Sequence, residues 1–420
     1  MADWSNDGLQ ALQLRLARSN AETASLDDEE RKLVEPFAPE FVYPIFGEKE
    51  VIFGYKGLDI DYRFASGSLA QYLKVSYDAQ FPDAGEVKAD DPEKILYEFI
   101  PPDYARNLAD FEKTVEKDAV DFKPLGTKIG AYRMKKDGAS GANGGPKGKG
   151  KGKSQGGPVL PERQWEVLED GDEGSDEEVV YEAYWSNWDT PGFKEYHRRM
   201  QIFVLLYIEG ASYIDEEDGR WEFVTLFERR KKGDSVSYHF AGYVSFYSFF
   251  CWPDTKRLRL AQFVLLPLYH GQGHGSALYT LCYRNVLRRD EVSELSVEDP
   301  SETFDDMRDK CDLYTLIEGG DLKEIKAPLD REKTEVIRKK YKLADRQFYR
   351  LCEMLLLLTA DPTDEAQQRA IRLTVKKRLY LFNKEQLLQI EDKEERKARL
   401  QETWEGVEAD YRRLTEKYAS

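Results

Sequence analysis

A glycine-rich turn at residues 270–275, His-Gly-Gln-Gly-His-Gly, combines residue types and spacing suited to binding a phosphate group. An apolar segment that contains residues 263–267 precedes it, and a helix-like segment from Ser276 follows. A strand that turns through glycines into a helix directs several backbone N–H groups at one point, beside the positive end of the helix dipole. The sequence therefore predicts a phosphate-binding turn.

Two common nucleotide-binding motifs do not fit this turn. A dinucleotide-binding turn would open a βαβ unit with an acidic residue at the end of a second strand about 20 residues later. Here the turn lies deep in the chain, after several apparently antiparallel strands, so the βαβ setting is not met. A Walker motif needs Gly-Lys-Ser or Gly-Lys-Thr, which is not present here. An acyl donor that carries a pyrophosphate fits the turn best.

The segments around the turn predict a mixed α/β unit. Residues 221–228 and 238–247 indicate neighbouring strands, and residues 257–266 indicate a third strand that leads into the turn. Apolar residues at helical spacing in 193–210 predict a buried helix, and residues 294–298 predict another strand. These strands and helices would position the turn.

The remainder of the chain predicts further parts. Residues 9–17 suggest an amphipathic helix, either a partner-docking element or a frayed terminus, and residues 137–157 contain no apolar residue larger than Ala. From residue 334, charged helices have Leu343, Phe348, Leu351, Met354, Leu355 and Leu358 along one face. We predict an N-terminal arm (1–35), an α+β N-terminal domain (36–135), a disordered Gly/Lys and acidic loop (136–180), a core domain (181–325) and a C-terminal helical domain (326–420).

Composition limits the classes of partner. The 420 residues carry 79 acidic and 62 basic side chains, for a formal net charge of -17. This balance disfavours nonspecific nucleic-acid binding and favours a basic partner, or it serves solubility alone. The four cysteines have no metal-binding spacing, and no apolar run is long enough to span a membrane, so we expect an intracellular protein without a metal site or membrane contact.

The order of strand, glycine turn, helix and a strand followed by Glu298-Asp299-Pro300-Ser301 resembles the acetyl-coenzyme A core of the Gcn5-related N-acetyltransferases. More narrowly, the chain resembles the type B histone acetyltransferases over most of residues 37–415. The stretches that carry this likeness are 46–47, 53–58, 120–127, 193–197, 211–215 and 411–413. The resemblance implies a mixed α/β fold in which the Gcn5-related core joins an α+β N-terminal domain and a helical C-terminal domain.

The resemblance also implies acetyl-coenzyme A as the cosubstrate, with its pyrophosphate on the backbone amides of the turn. Gly273 and Gly275 match the family pattern Arg/Gln-x-x-Gly-x-Gly/Ala, whereas His270 replaces the usual Gln or Arg and is either a side-chain contact or a solvent-facing turn residue. The candidate cofactor-binding residues are Phe263, Val264, Leu265, His270, Gly271, Gln272, Gly273, His274, Gly275, Ser276 and Thr303.

Catalytic candidates follow from the same resemblance. Transfer to lysine requires a neutral amine, so a carboxylate must accept its proton. Glu298 and Asp299 match the family's acid pair, with Glu298 the first choice for the base, and Glu209 matches a further carboxylate that we expect to be buried beside aromatics. Trp221 and Phe304 match aromatic residues of the substrate groove, Phe304 standing where Tyr is usual. Ordinary ion pairs for the glutamates and a core position for Trp221 remain the alternatives.

The family's substrate is the newly synthesised histone tail, chiefly that of histone H4 and possibly H3, and its usual partner is a WD-repeat histone-binding subunit. We expect residence in the nucleus and cytoplasm and no direct contact with nucleic acid. Acetylation of another protein or small amine, and a largely non-catalytic acidic histone escort, are the alternatives. Lys147, Lys149, Lys151 and Lys153 alternate with glycines as substrate lysines do, so this loop is a candidate pseudosubstrate or site of self-acetylation. The alternative, which low-complexity composition favours, is a flexible linker whose charge is matched by the acidic run 169–178.

Overall fold

The structure is a computed structural model that describes residues 4–82, 87–135, 158–169, 171–172, 174–175 and 178–419. The predicted Gly/Lys loop, with its candidate pseudosubstrate lysines, lies outside the described residues. No helix among those residues is both long and apolar enough to cross a membrane.

Fourteen strands and fourteen helices are found in the described part of the chain. The strands are β1 (Ser5–Asp7), β2 (Leu12–Ala17), β3 (Val51–Phe53), β4 (Tyr55–Lys56), β5 (Asp59–Ala65), β6 (Gln71–Ser76), β7 (Ala79–Gln80), β8 (Thr127–Met134), β9 (Trp165–Val167), β10 (Val180–Asn187), β11 (Trp221–Lys232), β12 (Ser235–Cys251), β13 (Thr255–Leu265) and β14 (Val292–Val297). The helices are α1 (Gly8–Ala11), α2 (Asn20–Thr23), α3 (Tyr43–Phe46), α4 (Pro92–Tyr97), α5 (Leu108–Asp121), α6 (Phe193–Met200), α7 (Ile202–Tyr207), α8 (His274–Arg288), α9 (Glu302–Glu318), α10 (Arg331–Lys340), α11 (Asp345–Leu358), α12 (Glu365–Phe382), α13 (Lys384–Leu388) and α14 (Lys393–Thr415).

The chain divides into two compact units that do not follow a single cut in the sequence. The first contains Met1–Lys135, Trp165–Ser248 and Leu260–Cys282, and the second contains Lys136–Gln164, Phe249–Arg259 and Tyr283–Ser420. The predicted five-part division stays a prediction.

A seven-stranded sheet, in the order β14-β13-β12-β11-β10-β8-β9, is the largest in the described residues. Strand β11 pairs antiparallel with both β10 and β12, as expected for neighbouring strands that follow one another in the chain. The helical stretch predicted at 193–210 forms α6 and α7, and all residues from Ile202 to Leu206 are buried. The predicted mixed α/β fold class is confirmed.

The amphipathic helix predicted at residues 9–17 is wrong beyond residue 11, because only residues 9–11 are helical, within α1. Residues 12–17 form strand β2, which pairs in parallel with β5 and places Leu14 opposite Tyr62. Leu12, Leu14 and Leu16 are fully buried and alternate with partly exposed residues. Side chains on one face of a strand repeat every two residues, so the alternating leucines indicate a strand rather than a helix.

The second unit contains the C-terminal helices. The apolar face predicted for α11 is buried at Phe348, Leu351, Met354 and Leu355, as expected for the core of a helical bundle. Arg350 of α11 donates to Asp309 of α9 at 2.7 Å and to Asp410 of α14 at 3.1 Å, which joins three helices.

Gly242 of β12 allows the backbone of β13 to approach closely within the first unit. A Cβ atom on Gly242 would lie 2.3 Å from the carbonyl oxygen of Val264 and 3.0 Å from Cα of Leu265. We expect Gly242→Ala to lower the free energy of unfolding by about 1–3 kcal/mol, because the strand must shift to admit the methyl group. Urea denaturation checks this, with Gly219→Ala, whose Cβ meets no atom within 4 Å, as the control. Equal stability of the two variants would contradict the close approach.

His197 of α6 makes the stability of the first unit depend on pH. Its ring is fully buried against Trp188 and Phe223, and neither ring nitrogen has a hydrogen-bond partner among the described residues. Burial lowers the pKa of His197 to about 3. The neutral ring favours folding, so its contribution is complete above the unfolded pKa near 6.5 and is lost as pH falls from there toward 3.

We therefore expect His197→Phe to reduce the loss of unfolding free energy between pH 7 and pH 5 by about 2 kcal/mol. The measurement is urea denaturation of both proteins at the two pH values. Identical losses in the variant and the unsubstituted chain would show that His197 does not take up a proton on unfolding.

Candidate active site

The predicted strand, turn and helix are present in the first unit. Strand β13 ends at Leu265, residues 270–273 form the turn, and α8 begins at His274. Gly271 and Gly273 have φ angles of 74° and 94°, which favour glycine over residues with a side chain. His270, Gly271 and Gln272 are exposed and lead into a 15-residue helix, whose first residue, His274, is buried. A ligand would therefore reach the N-terminus of the helix from the side of the turn.

His270 is an exposed turn residue, which is one of the two alternatives proposed for it, while a side-chain contact with the cofactor stays a prediction. The residue is exposed, and its Nε2 lies 2.6 Å from the carbonyl oxygen of Leu265. Because a carbonyl oxygen only accepts, Nε2 carries the hydrogen of this bond. The side chain thus ties the first residue of the turn to the last residue of β13.

In the strand before the turn, buried and partly exposed residues alternate, as they do in a strand of a sheet with one face covered. Val264 is buried, whereas Phe263 and Leu265 are partly exposed. Gln262 precedes them, and its Nε2 donates to the carbonyl oxygen of Ser212 at 3.3 Å. Its Oε1 accepts bonds from the hydroxyls of Tyr243 and Ser245 at 3.3 and 3.2 Å. Sequence reasoning missed Gln262, whose only signal was a polar residue within an apolar strand.

Through its hydrogen bond to Ser212, Gln262 holds the loop that follows Glu209 against β13. Glu209 itself does not have the burial expected from the sequence. Glu209 is exposed rather than buried beside aromatics, because α7 ends at Tyr207 and the chain has already turned into solvent. Trp221, at the start of β11, is half-buried, and its ring lies 4.8 Å from that of Tyr247. It therefore belongs neither to the fully buried core nor to open surface.

The acid pair lies in the second unit, directly after β14. Arg259 Nη1 lies 3.2 Å from Glu298 Oε1, and both side chains are partly exposed, at 38% and 46%. Asp299 is exposed and has a φ angle of 33°, a left-handed backbone conformation that is unusual for a residue other than glycine. Backbone strain of this kind is concentrated at functional sites, which favours a role for this strand end.

Helix α9 begins immediately after the acid pair. Ser301 caps it by accepting a bond from the backbone N–H of Phe304 at 3.3 Å. Thr303 is exposed in the first turn, and Phe304 is half-buried. The second unit thus brings Glu298, Asp299, Thr303 and Phe304 together within one strand-to-helix connection.

Comparison with known proteins decides the family. Residues 4–209 match the family model described as "Histone acetyl transferase HAT1 N-terminus", and residues 309–361 match "Fungal HAT1, C-terminal". The chain is 47% identical to the histone acetyltransferase type B catalytic subunit of Cryptococcus neoformans, over 99% of this chain and 98% of that protein. The chain belongs to the type B histone acetyltransferase catalytic subunits.

Proteins with the same name from other organisms are also similar to this chain. The Mycosarcoma maydis protein is 43% identical over 97% of this chain and 87% of its own length. The Rattus norvegicus protein is 30% identical over 82% of this chain and 74% of its own length. The chain is therefore a histone acetyltransferase, and the family implies acetyl-coenzyme A as its cosubstrate and histones as its substrates.

The turn of this histone acetyltransferase also has side-chain partners that sequence reasoning did not connect with it. Tyr132, Trp165 and Glu228 come from β8, β9 and β11, and each contacts a residue at one end of the turn through a hydrogen bond. The available signal was Glu228 directly after the apolar residues 226–227 of β11; the structure shows it buried, and a buried carboxylate needs a partner.

Proposed function

We propose that this chain transfers the acetyl group of acetyl-coenzyme A to lysines of newly synthesised, free histones, chiefly in the histone H4 tail. The proposal is carried by one observation, the glycine turn between β13 and α8, whose residues 270–272 are exposed and lead directly into the N-terminus of the helix. The backbone amides of residues 271–276 would hold the pyrophosphate, and the backbone of residues 263–265 would lie along the pantetheine and acetyl portion. Thr303 is a further candidate contact.

The proposed reaction is direct attack within a ternary complex. Glu298 accepts a proton from the lysine ammonium, directly or through one water, and the amine nitrogen then attacks the thioester carbon. Backbone amides stabilise the oxyanion, the carbon–sulfur bond breaks, and the coenzyme leaves as a thiolate that takes up a proton. Asp299 and Glu209 are the alternative or supporting carboxylates, and Trp221 and Phe304 would line the peptide groove.

Two of the four cysteines, Cys282 and Cys352, offer little support for a covalent acetyl-enzyme. Burial raises the pKa of the Cys282 thiol, and burial likewise raises that of Cys352, so neither forms the thiolate needed for attack at neutral pH. Direct transfer to lysine needs no such intermediate.

The net charge of -17 supports a basic substrate, since an acidic enzyme attracts the lysines and arginines of a histone tail. We propose residence in both nucleus and cytoplasm and association with a WD-repeat histone-binding subunit. Both rest on the family resemblance.

Coenzyme A release with three amine substrates tests the proposal. We expect acetyl-coenzyme A to be consumed with an H4-tail peptide and much more slowly with spermidine or with a lysine-free peptide that has a free amino terminus. Release with the last two substrates alone would point to a different amine. No release with any of them, despite binding of the H4 peptide, would favour a non-catalytic histone escort.

A further inference from the structure

The turn at residues 270–273 has little packing of its own. His270, Gly271 and Gln272 are exposed, and two of the four residues are glycines with positive φ angles. Glycine has the greatest backbone freedom of any residue, so this segment has a weak local preference for one shape. His270 donates to the carbonyl oxygen of Leu265 and Gln272 to that of Leu268, which shapes the turn locally. The residues that hold its two ends constrain its conformation further.

The first end is held by Tyr269, the residue immediately before the turn. Tyr269 is 1% exposed, and its hydroxyl donates to Glu228 Oε2 at 3.0 Å. The carboxylate of Glu228 is in turn bound by Arg18, with Nη1 at 2.8 Å from Oε1 and Nη2 at 3.1 Å from Oε2. Neither Arg18 nor Glu228 has any side-chain exposure. This is a two-point, charge-assisted contact with fixed geometry.

The second end is held by residues at the start of α8. His274 is 1% exposed, and its Nδ1 is hydrogen-bonded to the hydroxyl of Tyr132 at 2.7 Å. Two residues later, Trp165 donates its indole N–H to Ser276 Oγ at 3.0 Å. Tyr181 fills the remaining space, with its ring 4.3 Å from that of His274.

We propose that Tyr132 and Tyr269 are positioning residues for the cofactor, which fix the two ends of the pyrophosphate-binding turn to the sheet. Trp165 supports the second end of the turn. Arg18, which directly follows β2, connects that strand to the first end through Glu228. This inference rests on the proposed function, because it assumes that acetyl-coenzyme A binds at the turn.

Loss of either tyrosine hydroxyl should lower the affinity for acetyl-coenzyme A without a comparable decrease in kcat. Removing either hydroxyl leaves the fold and the backbone amides in place but lets the turn adopt other conformations, and binding must then select the competent one. Neither tyrosine belongs to the proposed reacting groups. Once the cofactor is saturating, turnover should be close to that of the unsubstituted enzyme.

The test uses Tyr132→Phe and Tyr269→Phe in the full chain, with Tyr181→Phe as the matched control. Tyr181 lies in the same aromatic cluster, and no hydrogen bond of its hydroxyl is found in the described residues. We expect the KM and the calorimetric Kd for acetyl-coenzyme A to rise about 5-fold for Tyr132→Phe and about 10-fold for Tyr269→Phe, whose bond is to a carboxylate. The kcat and the KM for an H4 peptide should change by less than about 2-fold, and the control by less than 2-fold in every constant.

Unchanged cofactor affinity in both folded variants, or an equal effect of the control, would overturn the positioning role. If Tyr269→Phe does not fold, Tyr132→Phe and Trp165→Phe test the second end alone, with an expected rise of about 3-fold for the latter. Failure of the unsubstituted chain to bind acetyl-coenzyme A would refute the proposed function itself, which separates the two failures.

Discussion

Glu298→Gln is expected to lower kcat with acetyl-coenzyme A and an H4-tail peptide by about 100-fold or more, while the Kd for acetyl-coenzyme A stays within about 2-fold of the original value. Glutamine preserves the shape of the side chain and can still accept a hydrogen bond, but it cannot take a proton from the lysine ammonium. Steady-state kinetics at saturating concentrations of both substrates measures the effect.

Two variants make the Glu298 result specific. Glu302→Gln removes a carboxylate from the first turn of α9, only four residues away in the sequence, and should leave kcat nearly unchanged. Asp299→Asn tests the second member of the acid pair. An unchanged rate for Glu298→Gln would transfer the role of base to Asp299 or Glu209, and the variant among those two with the large defect would identify it.

Arg18→Met is expected to cause the largest loss of stability, a decrease of about 3–5 kcal/mol in the free energy of unfolding. Burial alone would raise the pKa of Glu228, but the Arg18 guanidinium outweighs that effect and holds the pKa of the carboxyl well below its usual range. Without Arg18, a carboxylate with no side-chain exposure loses its two-point partner. Urea denaturation at pH 7 measures the loss.

The double variant Arg18→Met with Glu228→Leu provides the control. In the single variant Arg230, whose Nε lies 2.5 Å from Glu228 Oε1, still contacts the carboxylate. Replacing both charges with apolar side chains removes the buried carboxylate but also this partner of Arg230, so part of the lost stability should return. If the double variant is as unstable as the sum of the two single variants, the contact between these residues contributes nothing specific. The loss would then reflect packing of the two side chains with their other neighbours.

Local patterns predicted the elements that carry the cofactor turn. Strands β11, β12 and β13 and the helix after the turn were each visible as a continuous segment of one periodicity, and the buried face of α11 followed from helical spacing. Gly242 also had a local signal, since a glycine inside a strand often marks a close approach of backbones. We had not used it.

The sequence-based predictions failed where a segment fitted both helical and strand spacing, or where the structure depends on residues far apart in the chain. Residues 9–17 contain leucines compatible with a helix, and only the parallel pairing with β5 makes the strand the stable choice. Glu209 was assigned from the family resemblance, with burial beside aromatics as the condition for its role, but burial ends where α7 ends and Glu209 is exposed. The contact between Arg18 and Glu228 spans 210 positions, and local spacing carries no information about such a pair.

Amide hydrogen exchange with and without acetyl-coenzyme A tests the central claim most directly, because it reports on the backbone N–H groups that are proposed to bind the pyrophosphate. We predict slower exchange of residues 271–276 when acetyl-coenzyme A is added to the unsubstituted chain, with no comparable change in α12 and α14 of the second unit. Unchanged exchange at the turn under conditions in which acetyl-coenzyme A is bound would contradict the assignment of this turn as the cofactor site.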